Sequence, residues 1–267
     1  MEIIPTGGAL GAEVRGVDVS NPLAPMEVAA LQEALLNHLL LVFREQSLSE
    51  EEQVRFSRYF GDPAPHVREQ RDRALPEIFV ISNVSENGEP IGALGNGELT
   101  FHSDLSYMPR PGSLSIVYAV EVPRVGGDTQ WANAYAAYDA MSSELKQHVL
   151  ALKAVHRHGE EAQNPKVPAS HPIVRTHPET KRRATFVNPQ FTRYIEGVSS
   201  DESDALLDVL LRHVTRPEFI WTHKWRAGDL VMWDNRCTMH RREPFDASER
   251  RILKRTQMFG EPAVLEP

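Results

Sequence analysis

Cysteine is almost absent from this chain: Cys237 is the only one among 267 residues, so no intramolecular disulfide framework can form. Basic residues are also in short supply. Lys and Arg total 29 against 37 Asp and Glu, a formal net charge of −8, whereas a surface built for nucleic-acid phosphates needs a local excess of cations. That shortage makes any pocket gathering several arginines informative. Long apolar runs are missing too, and nothing approaches the roughly 18 residues of a membrane span. The opening MEIIPTGGALGAEVRG lacks the basic-then-apolar layout of a secretory leader, which leaves the cytoplasm as the expected compartment. Without a low-complexity linker or a repeat of roughly 20–50 residues, one domain over residues 1–267 is expected.

The composition that remains, 41% hydrophobic and 25% charged, suits a globular chain that buries a core without staples. Residues 2–20 alternate short apolar runs with glycines and read as one or two strands. Apolar positions at 28, 31, 35, 36, 39 and 40 behind Pro25 predict an amphipathic helix over 25–40, followed by a buried strand over 40–44. Ser49 with Glu52 forms a capping box for a helix ending near Gly61, and Ser199 with Glu202 offers another for a helix over 201–214. A further helix is predicted over 134–151. Strand signals fall at 77–82, 113–122, 183–188, 218–225, 229–233 and 251–258. Residues 62–100, rich in Pro, Gly, Asn and charge, form a long irregular stretch of the kind that often serves as a lid. Short strands with a few helices predict a mainly β fold with α additions, either a sandwich or a jelly roll. Periodicity does not choose between them.

His102-Ser-Asp104 sets an imidazole and a carboxylate two residues apart. On an extended strand such residues project to one face and can meet one ion. An iron site with two histidines and one carboxylate takes its third ligand from elsewhere and keeps positions open for co-substrate and oxygen. Alone the pair is weak evidence, because the chain has 11 histidines and His-x-Asp pairs also form plain surface hydrogen bonds. The segment GDLVMWDNRCTMHRREPFDASERRILKRTQMFG, residues 228–260, adds His240 after a strand-like run and arginines at 251 and 255. Positions 251, 253 and 255 share one strand face. Turned inward, two guanidinium groups need anions to offset their desolvation, and their planar forks suit carboxylates or sulfonates. Turned outward, they simply pair with surface acids. Spacing leaves both readings open.

Several separated motifs occur in a fixed order. They are GALGAEVRGVDVSNPL (8–23), LVFREQSLSEEEQVRFSRYFG (41–61), FHSDLSY (101–107), VPRVGGDTQWANAYAAYDAM (122–141) and HPIVRTHPETKRRATFVN (171–188), then WDNRCTMHR to RRILKRT (233–256). Together they resemble the taurine dioxygenase (TauD/TfdA-like) family of iron(II)/2-oxoglutarate oxygenases, which includes the phenoxyacetate herbicide dioxygenases. The resemblance implies a double-stranded β-helix, or jelly roll, and an enzyme using Fe(II), 2-oxoglutarate and O2. It matches His102, Asp104 and His240 to the iron ligands. Thr129 and Arg251 match the groups that hold the distal carboxylate of 2-oxoglutarate, and Arg255 and His66 those that meet the anionic end of the substrate. Trp233 and Asn235 fall in the supporting motif before the last ligand. The implied reaction hydroxylates a small organic anion, a sulfonate or an aryloxyalkanoate or other carboxylate, and releases succinate and CO2. A homo-oligomer is the assembly the family suggests.

The chain departs from the taurine pattern where substrate is met. Phe101 replaces a common tryptophan, 85–100 does not match, Glu98 stands in place of an asparagine near the substrate, and 156–170 is short. The substrate is therefore left open. His156 and His158 read as polar surface or lid residues, His171 and His177 as loop and turn residues, Cys237 as buried, and Trp221 and Trp225 as core. Two rivals use the same ligands: a zinc hydrolase, and a jelly-roll protein that binds a metal or small acid without turnover. The first lacks a general base beside the ligands and leaves Thr129 and Arg251 without purpose. Oxygen-dependent release of CO2 from 2-oxoglutarate separates the second.

Overall fold

The protein's structure, a computed structural model, describes residues 1–67 and 73–266. The chain begins with β1 (Glu2–Pro5), β2 (Ala12–Arg15), α1 (Pro25–His38), β3 (Leu40–Phe43), α2 (Glu50–Ser57) and β4 (Phe79–Ser82). The short β5 (Ser85–Glu86), β6 (Glu89–Pro90) and β7 (Ala93–Leu94) lead into β8 (Leu99–His102) and the long β9 (Gly112–Glu121). Next come β10 (Thr129–Asn133), α3 (Ala134–Asp139), α4 (Ser143–Val149), β11 (Lys153–His156), β12 (Ala169–Pro172), β13 (Val174–Thr176), β14 (Arg183–Thr185) and β15 (Thr192–Ile195). The last third holds α5 (Ser200–Val214), β16 (Ile220–His223), β17 (Leu230–Asp234), β18 (Thr238–Arg242) and β19 (Ile252–Phe259).

An eight-stranded sheet, β1-β2-β3-β17-β9-β19-β4-β7, packs against a four-stranded sheet, β16-β10-β18-β8. This is the expected jelly roll. Strand periodicity explains the layers. In β17, Val231 and Trp233 face the core between the sheets with Val117 of β9, Leu253 of β19 and Trp131 of β10. Leu230 and Met232 face the other way, onto Leu31 and Leu35 of α1 and Phe56 of α2. A strand buried on both faces reads as a continuous apolar run, as LVMW does here. Outside the small sheet, Ala132 and Met239 lie under Ala137 of α3 and Leu207 and Leu210 of α5. Each fully buried valine, leucine or methionine among them contributes about 1.5–3 kcal/mol.

Several expectations change at element ends. The helix predicted over 134–151 is two helices, because Ser142 accepts from the Leu145 N–H at 3.1 Å and caps α4 as a new start. The Ser49–Glu52 capping box forms in both directions, but α2 stops at Ser57, short of Gly61. Ser199 accepts from the Glu202 N–H at 3.3 Å, as its position suggested. β14 ends at Thr185, and the Asn188 carboxamide instead organises a loop by accepting from the Phe191 N–H at 2.9 Å. Pro217–Phe219 is a 3-10 turn ahead of β16. Within 62–100 the strand expected at 77–82 forms as β4 and pairs with β19 inside the large sheet, and the rest is less irregular than expected, since β5 pairs with β6 as a hairpin and β7 joins β4. Part of that stretch, 68–72, lies outside the described residues. Among the described residues no helix is long and apolar enough to cross a membrane.

Candidate active site

β8 stops at His102, so a shared strand face is not what unites the first two candidate ligands. Asp104 sits in the turn that follows, where Leu105 has φ 56° and the Ser106 N–H returns to the Ser103 carbonyl at 3.3 Å. The Gly112 N–H, at the start of β9, donates to the Asp104 carbonyl at 3.1 Å. A Cβ at position 112 would lie 2.9 Å from that oxygen, so only glycine lets β9 come so close to the ligand turn. His240 on β18 pairs in register with His102 on β8. The ligand atoms of His102, Asp104 and His240 all lie within 4.8 Å of one another, and all three residues are buried.

Their charge states suit a metal. The His102 Nδ1–H donates to the Thr100 carbonyl at 2.8 Å, which leaves the Nε2 lone pair 3.8 Å from Asp104. Burial lowers the His102 pKa and pushes that of His240 down to about 3, with His102 adding to the latter effect. Burial alone would raise the Asp104 carboxyl, but the Arg255 guanidinium and the two imidazoles hold it well below the usual carboxylate range. Two neutral imidazoles and an ionised carboxylate are the donor set that suits a divalent first-row metal. Among the described residues His240 Nδ1 is buried without a hydrogen-bond partner.

The carboxylate is held from both sides. Ser115 Oγ donates to Asp104 Oδ2 at 2.7 Å, and Arg255 Nη1 donates to Oδ1 at 3.1 Å. Asn235 Oδ1 accepts from the Asp104 N–H at 3.2 Å and from Trp233 Nε1 at 2.9 Å, so Asn235 reaches the ligand turn and Trp233 holds Asn235 in place. Asn235 Nδ2 and Gln257 Nε2 each donate to Ser115 Oγ, at 2.9 and 3.0 Å. Ser115 and Gln257 escaped the sequence reading. A serine or glutamine on a strand carries no local signal of this kind.

Two adjoining cavities of about 60 and 50 Å³ share His102, Leu94, Leu99 and Arg255. The first is walled by Tyr107, His158 and Phe191, and by His66, whose ring centre lies 4.1 Å from that of Phe79 with the planes tilted by 34°. The second contains Thr129, Trp225, Arg242 and Arg251. Thr129 Oγ1 accepts from Trp225 Nε1 at 2.9 Å, which makes that tryptophan part of the cavity wall as well as the core. Among the described residues the Arg251 guanidinium hydrogen-bonds only to the Gly127 carbonyl, at 3.4 Å, and its Nε is unpartnered. Gly127 has φ 70°, a backbone conformation that favours glycine, and a Cβ there would stand 3.0 Å from Pro123 Cγ. The inward reading of Arg251 and Arg255 is the correct one.

Other expectations need correction. Glu98 pairs with Arg241 at 3.1 Å beside a surface groove that excludes all three ligands. His156 is not on the surface: it is fully buried on β11, with Nδ1 3.2 Å from Ser106 Oγ, and burial pushes its pKa down to about 3. His158 packs against Tyr107 and Phe191, with ring centres 5.1 and 5.5 Å apart. His171 lies on β12 and donates to the Met108 carbonyl at 3.1 Å. His177 follows β13, but buried, with Nε2 2.9 Å from Asp234 Oδ2. Cys237 is buried as expected, and burial raises its thiol pKa. His156 and His171 carry no local signal of burial because the strands that hold them are only four residues long.

A buried His-Asp-His triangle between the sheets of a jelly roll, next to a cavity with buried arginines, defines a non-haem metal oxygenase of the 2-oxoacid-dependent kind. Residues 2–257 match the family model "Taurine catabolism dioxygenase TauD, TfdA family", and the chain belongs to that family. It is 34% identical to the alpha-ketoglutarate-dependent 2,4-dichlorophenoxyacetate dioxygenase of Cupriavidus pinatubonensis, over 95% of this chain and 96% of that protein. It is 32% identical to the alpha-ketoglutarate-dependent sulfate ester dioxygenase of Pseudomonas putida, over 99% and 91% of the two chains. A taurine dioxygenase from Burkholderia xenovorans superposes with a TM-score of 0.86 at 38% identity, covering 98% of this chain and 92% of the other. The protein is thus an enzyme, a 2-oxoglutarate-dependent non-haem iron dioxygenase, and neither rival reading is favoured.

Proposed function

We propose that His102, Asp104 and His240 hold iron(II), and that Arg251 and Thr129 receive the distal carboxylate of 2-oxoglutarate. A small organic anion is then hydroxylated in the cavity walled by Tyr107, His158 and Phe191. The observation that carries this reading is a cleft in which the ligand triangle adjoins a buried guanidinium with an unpartnered Nε. A buried arginine without an acid is costly until an anion arrives. Iron(II) with 2-oxoglutarate and O2 supplies the oxidation, in which the co-substrate becomes succinate and CO2 and a substrate C–H becomes C–OH.

The chain's own residues bind, orient and exclude water. Ser115 and Arg255 fix the Asp104 carboxylate, and the Thr100 carbonyl fixes the His102 tautomer. Because Thr129 Oγ1 accepts from Trp225, its own hydroxyl hydrogen is left to donate to a carboxylate. Arg255 spends Nη1 on Asp104 but keeps an unpartnered Nε, and with His66 it lines the cavity where an anionic substrate would sit. The wall of Tyr107, Phe191 and the His158 ring favours a flat aryl group, so an aryloxyalkanoate is the first substrate class and a sulfonate the second. The same reading takes residues 1–267 as one catalytic domain.

The test is anaerobic addition of Fe(II) and 2-oxoglutarate, followed by aryloxy acids and sulfonates. A weak visible charge-transfer band that shifts with an aryloxy acid is the expected result. Arg251→Ala is expected to weaken the band-forming affinity by about 3–5 kcal/mol, the typical loss when one partner of a buried ion pair goes. Metal binding without any band refutes the reading.

A further inference from the structure

A third buried arginine lines the cavity that holds Arg251 and Arg255. Arg242 closes β18 two residues beyond His240, so the pleat turns both side chains toward the same face of the small sheet. It is 4% exposed and lines the cavity that also contains Arg251 and Thr129. Nη2 donates to the Gly97 carbonyl, whereas Nε and Nη1 are buried without a partner. Both guanidinium groups lie over one ring, that of Phe245, at 5.5 Å for Arg242 and 5.9 Å for Arg251. Among the described residues neither arginine has an acid within ion-pair distance; the field of Asp128 reaches Arg251, but no hydrogen bond joins them. An arginine needed only to brace the loop at Gly97 and stack on Phe245 would not leave two buried donors unanswered beside a cavity.

We propose that Arg242 is a second grip on the distal carboxylate of the co-substrate, which sits between Arg242 and Arg251. This rests on the 2-oxoglutarate reading above. A carboxylate offers about four lone-pair sites, enough for donors from two guanidinium groups and the Thr129 hydroxyl. The two cations repel each other when the carboxylate is missing and are both satisfied when it is present. The site therefore selects 2-oxo diacids over 2-oxo monoacids more sharply than one arginine would.

The experiment is anaerobic calorimetric titration of the metal-loaded protein with 2-oxoglutarate and, separately, with 2-oxobutyrate, which lacks the distal carboxylate. Arg242→Gln is expected to lower 2-oxoglutarate affinity about tenfold or more. The affinity for 2-oxobutyrate is expected to stay put, so the ratio of the two falls. Arg242→Met reads the same ratio, so one poorly folded variant does not decide the matter, and Arg242→Lys should restore part of it. Unchanged 2-oxoglutarate affinity overturns the proposal. So does an equal loss for both acids, which marks a packing defect. If wild type binds 2-oxoglutarate and Arg251→Ala weakens it while Arg242→Gln does not, this inference alone fails. If metal-loaded wild type binds no 2-oxoglutarate, the functional reading fails with it.

Discussion

Replacing Ser115 with alanine removes one hydroxyl that serves three partners at once. It donates to Asp104 Oδ2 at 2.7 Å and accepts from Asn235 Nδ2 and Gln257 Nε2, all within a fully buried setting. A hydrogen bond to a charged group contributes about 1.5–3 kcal/mol, and each buried amide left without an acceptor costs about 1–3 kcal/mol. Partial re-pairing of Asn235 and Gln257 brings the expected loss to about 3–5 kcal/mol in the metal-free protein. The freed carboxylate oxygen becomes more basic, which favours a cation. Its orientation is lost, however, and that effect wins: removing such an outer partner typically costs about 10–100-fold in metal affinity. Urea unfolding of the metal-free variant reads the first quantity, and competition titration with Fe(II) or Mn(II) reads the second. A loss under about 1 kcal/mol together with unchanged metal affinity would refute the view that this network positions the ligand.

Two further outcomes follow from the geometry. Gly112→Ala would place a Cβ 2.9 Å from the Asp104 carbonyl oxygen; it should destabilise the protein by about 1–3 kcal/mol and weaken metal binding, read by thermal melts with and without Mn(II). Burial alone would raise the Asp234 carboxyl, but Arg236 and His177 hold it well below its ordinary value. Its stabilising contribution is therefore complete above the unfolded-state pKa near 3.8 and is lost as pH falls through the folded one. Asp234→Asn should already be less stable at pH 7, by about 3 kcal/mol or more, and should show a flatter acid-unfolding curve below about pH 5. A variant curve parallel to wild type would contradict the assignment.

Local pattern made much of this protein legible. The helix over 25–38, the Ser49 and Ser199 caps and the strand runs at 40–43, 230–234 and 252–259 follow from side-chain period and capping chemistry, which act within a few residues. The ordered motifs pointed to the family, and the strand face shared by 251 and 255 allowed the arginines to turn inward. Ends were harder. The break at Ser142 and the end of β8 at His102 depend on which competing cap or turn the packed structure selects, and pattern is weakest there.

Most element types are written in residue type and short spacing, and the family and three candidate ligands in the order of motifs along the chain. The tertiary structure decided that these ligands converge, since His102 and His240 meet only when β8 and β18 pair across 138 positions of chain. The fold also decided that Ser115, itself braced by Gln257, holds Asp104, that His156, His171 and His177 are buried, and that Arg242 lines the same cavity as Arg251. Contacts between residues so far apart in sequence leave no periodic trace. They exist only once two sheets close around a common core and the desolvation of each polar group must be answered by whatever the fold brings beside it.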